Sequence, residues 1–160
     1  HTQFNSREAF DKALATKIES YSPDLIILAG FMRILTPEFV QRFEGRLLNI
    51  HPSLLPKYTG LNTHQRAIDA GDEHAGVTVH FVTQELDGGP PVIQARVAID
   101  TNETADTLAK KVLQEEYRIY SLAIKWFCQG RLSLVDNKVQ LDQKVLQTTG
   151  LALWETPEAI

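Results

Sequence analysis

Asn49 and His51 stand two residues apart in the stretch Leu47-Leu48-Asn49-Ile50-His51-Pro52. Leu47, Leu48 and Ile50 predict a buried strand over residues 46–50. Residues i and i+2 of a strand point to the same face. An amide donor and a ring that titrates near neutrality therefore lie side by side at the strand end. The amide can hold a developing oxyanion. The imidazole can move a proton. Pro52 and Pro56 restrict the backbone that follows, which favours a pre-set site. The same residues also describe a capped strand end with a hydrogen-bonded histidine, and this stretch alone leaves both readings open.

Other residues could join them. Asp87 opens the loop Asp87-Gly88-Gly89-Pro90-Pro91. A carboxylate bonded to a histidine orients the ring and raises its basicity. An aspartate before two glycines is equally an ordinary turn residue. Glu116 falls on an apolar helical stripe of Leu108, Val112, Ile119, Tyr120, Ala123, Ile124 and Phe127. A carboxylate there must find partners, either a ligand's hydroxyls or solvent at the stripe edge. Gly30-Phe31-Met32-Arg33-Ile34-Leu35 follows a second apolar run, and Arg33 there could meet a carboxylate or simply solvent. His51, His64, His74 and His80 are spread over different elements, so no metal site is expected. Cys128 reads as a core residue at a helix end.

The elements that must position these groups alternate. Asn5 and Glu8 suggest a capping pair for a helix whose apolar face is Phe10, Leu14, Ile18 and Tyr21. The run from Asp24 to Gly30 predicts a strand buried on both faces, as in a parallel sheet. Thr36-Pro37 starts a short helix to about Phe43. Another helix is predicted over residues 62–70. Residues 76–85 and 92–99 predict strands, the first with one partly polar face. Residues 104–129 predict the longest helix. Residues 132–135 and 138–141 predict a hairpin about Asp136-Asn137, and the tail from Asp142 gives no clear pattern. The expected architecture is an α/β fold with an open sheet of mixed direction: Rossmann-like parallel strands, then antiparallel strands and a long C-terminal helix. In such sheets ligands sit beyond the C-terminal ends of the parallel strands, where both motifs fall.

Composition narrows the class. The chain has 160 residues, 43% hydrophobic and 22% charged, enough for one domain with a real core. Its formal charge of -4 argues against non-specific nucleic-acid binding. A single cysteine excludes an internal disulfide and suits a reducing cytosol. No apolar run is long enough for a membrane helix, and the N-terminal residues lack the apolar core of a signal peptide. Neither a Gly-x-Ser-x-Gly elbow nor a Walker loop is present. A cytoplasmic location is expected; the oligomeric state is not legible.

The segments AGFMRILTPEFV, GRLLNIHPSLLPKYTG, GVTVHFVTQELDGGP and QEEYRIYSLAIKWF occur in one order. Together they resemble the folate-dependent phosphoribosylglycinamide formyltransferase family over about residues 5–135. The resemblance implies a single formyltransferase domain over residues 1–160 that carries the C-terminal major part of the family fold. It also implies formyl transfer from 10-formyltetrahydrofolate, as co-substrate, to the amine of glycinamide ribonucleotide in purine biosynthesis, without a metal. Asn49 and His51 would stabilise the tetrahedral oxyanion, and Asp87 would tune His51 and relay protons. Arg7, Met32, Arg33, Ile34, Leu35, Asn49 and the loop Thr83, Gln84, Glu85, Leu86, Asp87 would meet the folate. Glu116 would accept from the nucleotide substrate.

The family's leading strand and phosphate-cradling Gly-Ser-Asn loop have no counterpart in these residues. Pro91 replaces the family's aliphatic residue, which an edge position would tolerate. Formyltetrahydrofolate deformylase and an inactive folate-binding fragment are the alternative readings. If Asp87 supports His51, Asp87→Asn is expected to lower the pKa governing activity and to depress the rate. An unchanged pH profile would count against their coupling.

Overall fold

A computed structural model describes residues 4–155. Helix α1 spans Arg7–Glu19, and its N-cap is Ser6, whose hydroxyl accepts from the Ala9 amide at 3.1 Å. The cap thus falls one residue beyond the Asn5 expected from sequence. Strand β1 is Ile26–Leu28, shorter than the apolar run suggests. It pairs in parallel with β2, Leu47–His51. Ile27 is 45% exposed, so β1 is not buried on both faces among the described residues. The reason is topological: β1 ends the sheet order and has β2 as its neighbour. Between them, α2 covers Pro37–Arg42 as predicted, with Thr36 Oγ1 accepting from the Phe39 amide.

Helix α3 is Thr63–Asp69, followed by β3, His74–Phe81, and β4, Pro91–Ala98. β2, β3 and β4 are successively antiparallel. Helix α4 covers Ala105–Cys128. The hairpin appears as β5, Leu132–Val135, and β6, Lys138–Leu141, extended by β7, Lys144–Val145. β8, Leu151–Ala152, returns to pair in parallel with β4. The main sheet therefore runs β1-β2-β3-β4-β8, a five-stranded mixed sheet. Part of the tail that showed no sequence pattern is a strand of that sheet. Residues 156–160 lie outside the described residues.

Two further sequence expectations need correction. β4 is not an edge strand, because β3 and β8 flank it. Pro91 is tolerated as its first residue, opposite His80 where the register shifts, so its missing amide falls in an irregularity. Cys128 is exposed rather than buried. Trp126, 1% exposed, takes the core position at that helix end, and two residues turn Cys128 to the opposite side. The partly polar face expected for β3 is there, and its Thr78 and His80 are both buried.

The sheet separates two cores. Leu48, Val77, Val79, Phe81 and Ile93 pack with Leu108, Val112, Ile119 and Ala123 of α4. Ala15, Phe39, Phe43 and Leu47 form the smaller core between the sheet, α1 and α2. Leu47 and Leu48 thus serve opposite layers, as alternation in a strand requires. The Tyr120 hydroxyl reaches the carbonyls of Leu28 at 2.7 Å and Leu48 at 3.0 Å, tying α4 to the end of β1 and to the neighbouring part of β2. Burial pushes its phenol well above the usual range. Tyr120→Phe should cost about 1–3 kcal/mol, because buried carbonyls lose their donor. Urea unfolding should show a lower midpoint with an unchanged slope.

Candidate active site

Strand register assembles the polar centre. Asn49 lies opposite His80 and His51 opposite Thr78 across the β2–β3 pair, so all four side chains share one face. The Asn49 amide nitrogen is 3.2 Å from His80 Nε2. The other His80 nitrogen, Nδ1, is 3.0 Å from the Phe81 carbonyl, which can only accept. His80 therefore carries its proton on Nδ1 and offers the Nε2 lone pair to Asn49. Burial depresses its pKa, in keeping with a neutral ring. The result for Asn49 is specific. One amide hydrogen is committed to His80, which fixes the flip and leaves the second free for a ligand.

His51 is held differently. Its Nε2 is 2.9 Å from the Tyr58 carbonyl and its Nδ1 is 3.5 Å from Asp87 Oδ2. Both ring nitrogens face acceptors, an arrangement that the imidazolium satisfies and that a neutral ring satisfies on one side. The His51 and Asp87 side chains are each 8% exposed, so their attraction is poorly screened by water. Asp87 Oδ2 also accepts from the Gly60 amide at 2.9 Å. Asp87 holds φ 51, a left-handed conformation that aspartate tolerates better than most residues. Gly89 is required beside it: a Cβ there would stand 1.8 Å from the Phe81 carbonyl.

A cleft opens from this centre. Leu28, Phe31, Arg33, Ile34, Leu35 and Val40 line one side, and Val82 through Asp87 the other, with Asn49 and His80 at the base. Of the residues predicted to meet a folate, Arg33, Ile34, Leu35, Asn49, Thr83, Gln84, Glu85, Leu86 and Asp87 are thus brought together. Met32 is 74% exposed and stands off the wall, where Phe31 takes its place. Arg7 is exposed at the start of α1 and does not line the cleft. The Arg33 guanidinium lies 4.1 Å from the centre of the Phe10 ring and 3.9 Å from the buried Asp11 carboxylate. Its carboxylate partner is therefore internal. Asp11 also accepts from the Thr36 amide at 2.7 Å, linking α1 to the start of α2.

Glu116 is half-buried on α4; burial raises its pKa, and His51 acts against that rise. Among the described residues, no group of three or more His, Cys, Asp or Glu side chains could hold a metal. Sequence reading passed over His80, Tyr58 and Gly60. For His80 a signal was present, since Val77-Thr78-Val79-His80 alternation sets it beside Thr78. Its pairing with Asn49 needed the register.

Comparison with known proteins matches residues 1–124 to the formyl transferase family model. The chain belongs to the formyl transferase family. It is 52% identical over 149 residues to the phosphoribosylglycinamide formyltransferase of Escherichia coli strain K12, covering 93% of this chain and 70% of that protein. The structure of the phosphoribosylglycinamide formyltransferase of Coxiella burnetii matches with a TM-score of 0.92 at 50% identity, over 95% of this chain and 72% of that one. A formyltetrahydrofolate deformylase from Pseudomonas syringae pv. tomato is more distant, with a TM-score of 0.76 and 25% identity over 81% of this chain and 44% of its own. In this formyl transferase, burial holds the pKa values of His80 and His64 below the usual histidine range. The unfolded chain, with histidine near about 6.5, then binds more protons as the medium acidifies. Stability should fall as pH drops below about 6.5. His80→Gln should reduce that slope in urea titrations run at several pH values.

Proposed function

We propose that this formyl transferase moves a formyl group from 10-formyltetrahydrofolate to the amine of glycinamide ribonucleotide, a step of purine biosynthesis. The observation that carries the reading is the convergence of Asn49, His51 and Asp87 at the end of a parallel strand, beside a cleft walled by residues 33–35 and 83–87. The high identity to phosphoribosylglycinamide formyltransferases supports it over the deformylase reading. We take the 160 residues as the C-terminal major part of one such domain, acting in the cytoplasm. No helix among the described residues is long and apolar enough to cross a membrane.

The chemistry follows from the groups. The folate lies along the cleft with its formyl carbon near Asn49. The nucleotide amine attacks that carbon, and the carbonyl oxygen gains negative charge. The free amide hydrogen of Asn49 and the cationic His51 lower the energy of that oxyanion. The attacking nitrogen becomes an ammonium, whose proton passes toward Asp87 through water. His51 returns a proton to the departing folate nitrogen as the intermediate collapses. Glu116 accepts from the nucleotide's hydroxyls.

The test is to mix the protein with 10-formyltetrahydrofolate, with and without glycinamide ribonucleotide, and to follow folate absorbance. Turnover is expected with the nucleotide. Turnover without it would favour the deformylase, and tight folate binding without turnover an inactive module. His51→Ala should cut turnover by orders of magnitude while circular dichroism stays close to that of the parent. Parent-level turnover in a folded His51→Ala protein would remove His51 from the mechanism.

A further inference from the structure

We infer that Tyr58 and Asp72 are positioning residues: together they hold the Tyr58–Gly60 backbone as a bracket that grips His51 and Asp87 at once. The inference rests on the reading of those two as the catalytic pair. The Tyr58 carbonyl stands 2.9 Å from His51 Nε2. Two residues on, the Gly60 amide donates to Asp87 Oδ2 at 2.9 Å, the oxygen that faces His51 Nδ1 at 3.5 Å. One short turn thus presents an acceptor to the cationic partner and a donor to the anionic one. It complements the charge-separated state of the pair from outside.

That turn is not relaxed. Tyr58 holds φ 56 and Gly60 φ 77. Glycine adopts such values freely, whereas a tyrosine is strained there. Something must hold Tyr58 in place, and its own side chain does so. The phenol donates to Asp72 Oδ2 at 2.8 Å, and Lys57 Nζ lies 3.0 Å from both Asp72 oxygens. Lys57, then Tyr58, keep the Asp72 carboxyl below the usual range, so it stays an acceptor at neutral pH. The Arg66 guanidinium stacks over the Tyr58 ring at 5.2 Å and donates to the Thr59 carbonyl at 2.7 Å. Asp72 follows α3, so the short helix folds back to deliver the anchor. Tyr58 and Asp72 line a different hollow from the folate cleft, so changing them removes no group from that cleft.

The test uses the full chain with Tyr58→Phe, Asp72→Ala and Asp72→Asn. Phenylalanine keeps the ring and loses the anchor; asparagine keeps an acceptor for the phenol and loses the charge. Tyr58→Phe and Asp72→Ala should each lower kcat about tenfold, with KM for the folate within about twofold of the parent. The two effects should not add in the double variant, because they break one contact. The pH–rate profile should move toward lower pH, since a loosened bracket favours the neutral imidazole. Asp72→Asn should recover most of kcat. The nitrogen-15 resonances of the His51 ring should shift in Tyr58→Phe and Asp72→Ala and return in Asp72→Asn. A folded Tyr58→Phe protein with the parent's pH profile and His51 resonances overturns the inference, even if its Tm is lower. Should Tyr58→Phe fail to fold, unchanged His51 resonances in Asp72→Ala overturn it equally. Failure of the catalytic reading is separate: it shows as parent-level turnover in His51→Ala.

Discussion

Antiparallel register between β2 and β3 is the constraint on which the site depends. With Asn49 opposite His80 and His51 opposite Thr78, two pairs of polar side chains come to one face of the sheet. A one-residue slip of either strand would turn its polar pair into the α4 core and bring its apolar residues out. The apolar residues therefore police the register. Burial of Leu48, Val77, Val79 and Phe81 against α4 disfavours the one-residue slips that would turn Asn49 and His51, or their partners, to the wrong face. Core packing and the alignment of reactive groups are, at this point, one requirement.

The polar side of that sheet is covered by loops rather than water, and its groups are paired accordingly. Thr78 Oγ1 donates to the Ser53 carbonyl at 2.7 Å and accepts from the Leu55 amide and from Gln94 Nε2. Gln94 also donates to the Leu55 carbonyl at 2.8 Å. The segment after His51 is thus stitched down from β3 and β4 before it turns back toward the ring. Buried polar networks of this kind stabilise one arrangement because each member left unpaired is costly. Two histidines on the same face are held differently: burial favours the neutral form of His80 against the pull of the Phe81 carbonyl and Asp87, and His51 faces two acceptors.

Much of this was legible in the residues. Asn49 and His51 at i and i+2, the glycine-rich loop after Asp87, and Glu116 on an apolar stripe each announced a polar group where apolar packing was expected. The helices were readable from caps such as Thr36 and from the stripe through Leu108 and Val112. Other features depend on distances between elements that no local pattern encodes. His80 became a partner of Asn49 through cross-strand register, and Tyr58 reached His51 through a backbone carbonyl, which has no sequence signature. Arg33 was readable as a cleft residue, yet its capture by Phe10 and Asp11 required the placement of α1. β8 was invisible because two residues carry no period.

The capture of Arg33 bears on how the cleft selects its occupant. A cation lining a cleft ordinarily draws anionic ligands over distance, and that pull weakens with added salt. Here the guanidinium already shares its charge with Asp11 and rests on an aromatic face. Its field toward the cleft is largely cancelled at short range, and Phe31, Ile34, Leu35 and Leu86 offer apolar surface around it. Recognition by this wall is then governed by shape and by the backbone's donors and acceptors, more than by charge. A flat, neutral heterocycle gains from such a surface, whereas an inorganic anion finds little to hold it.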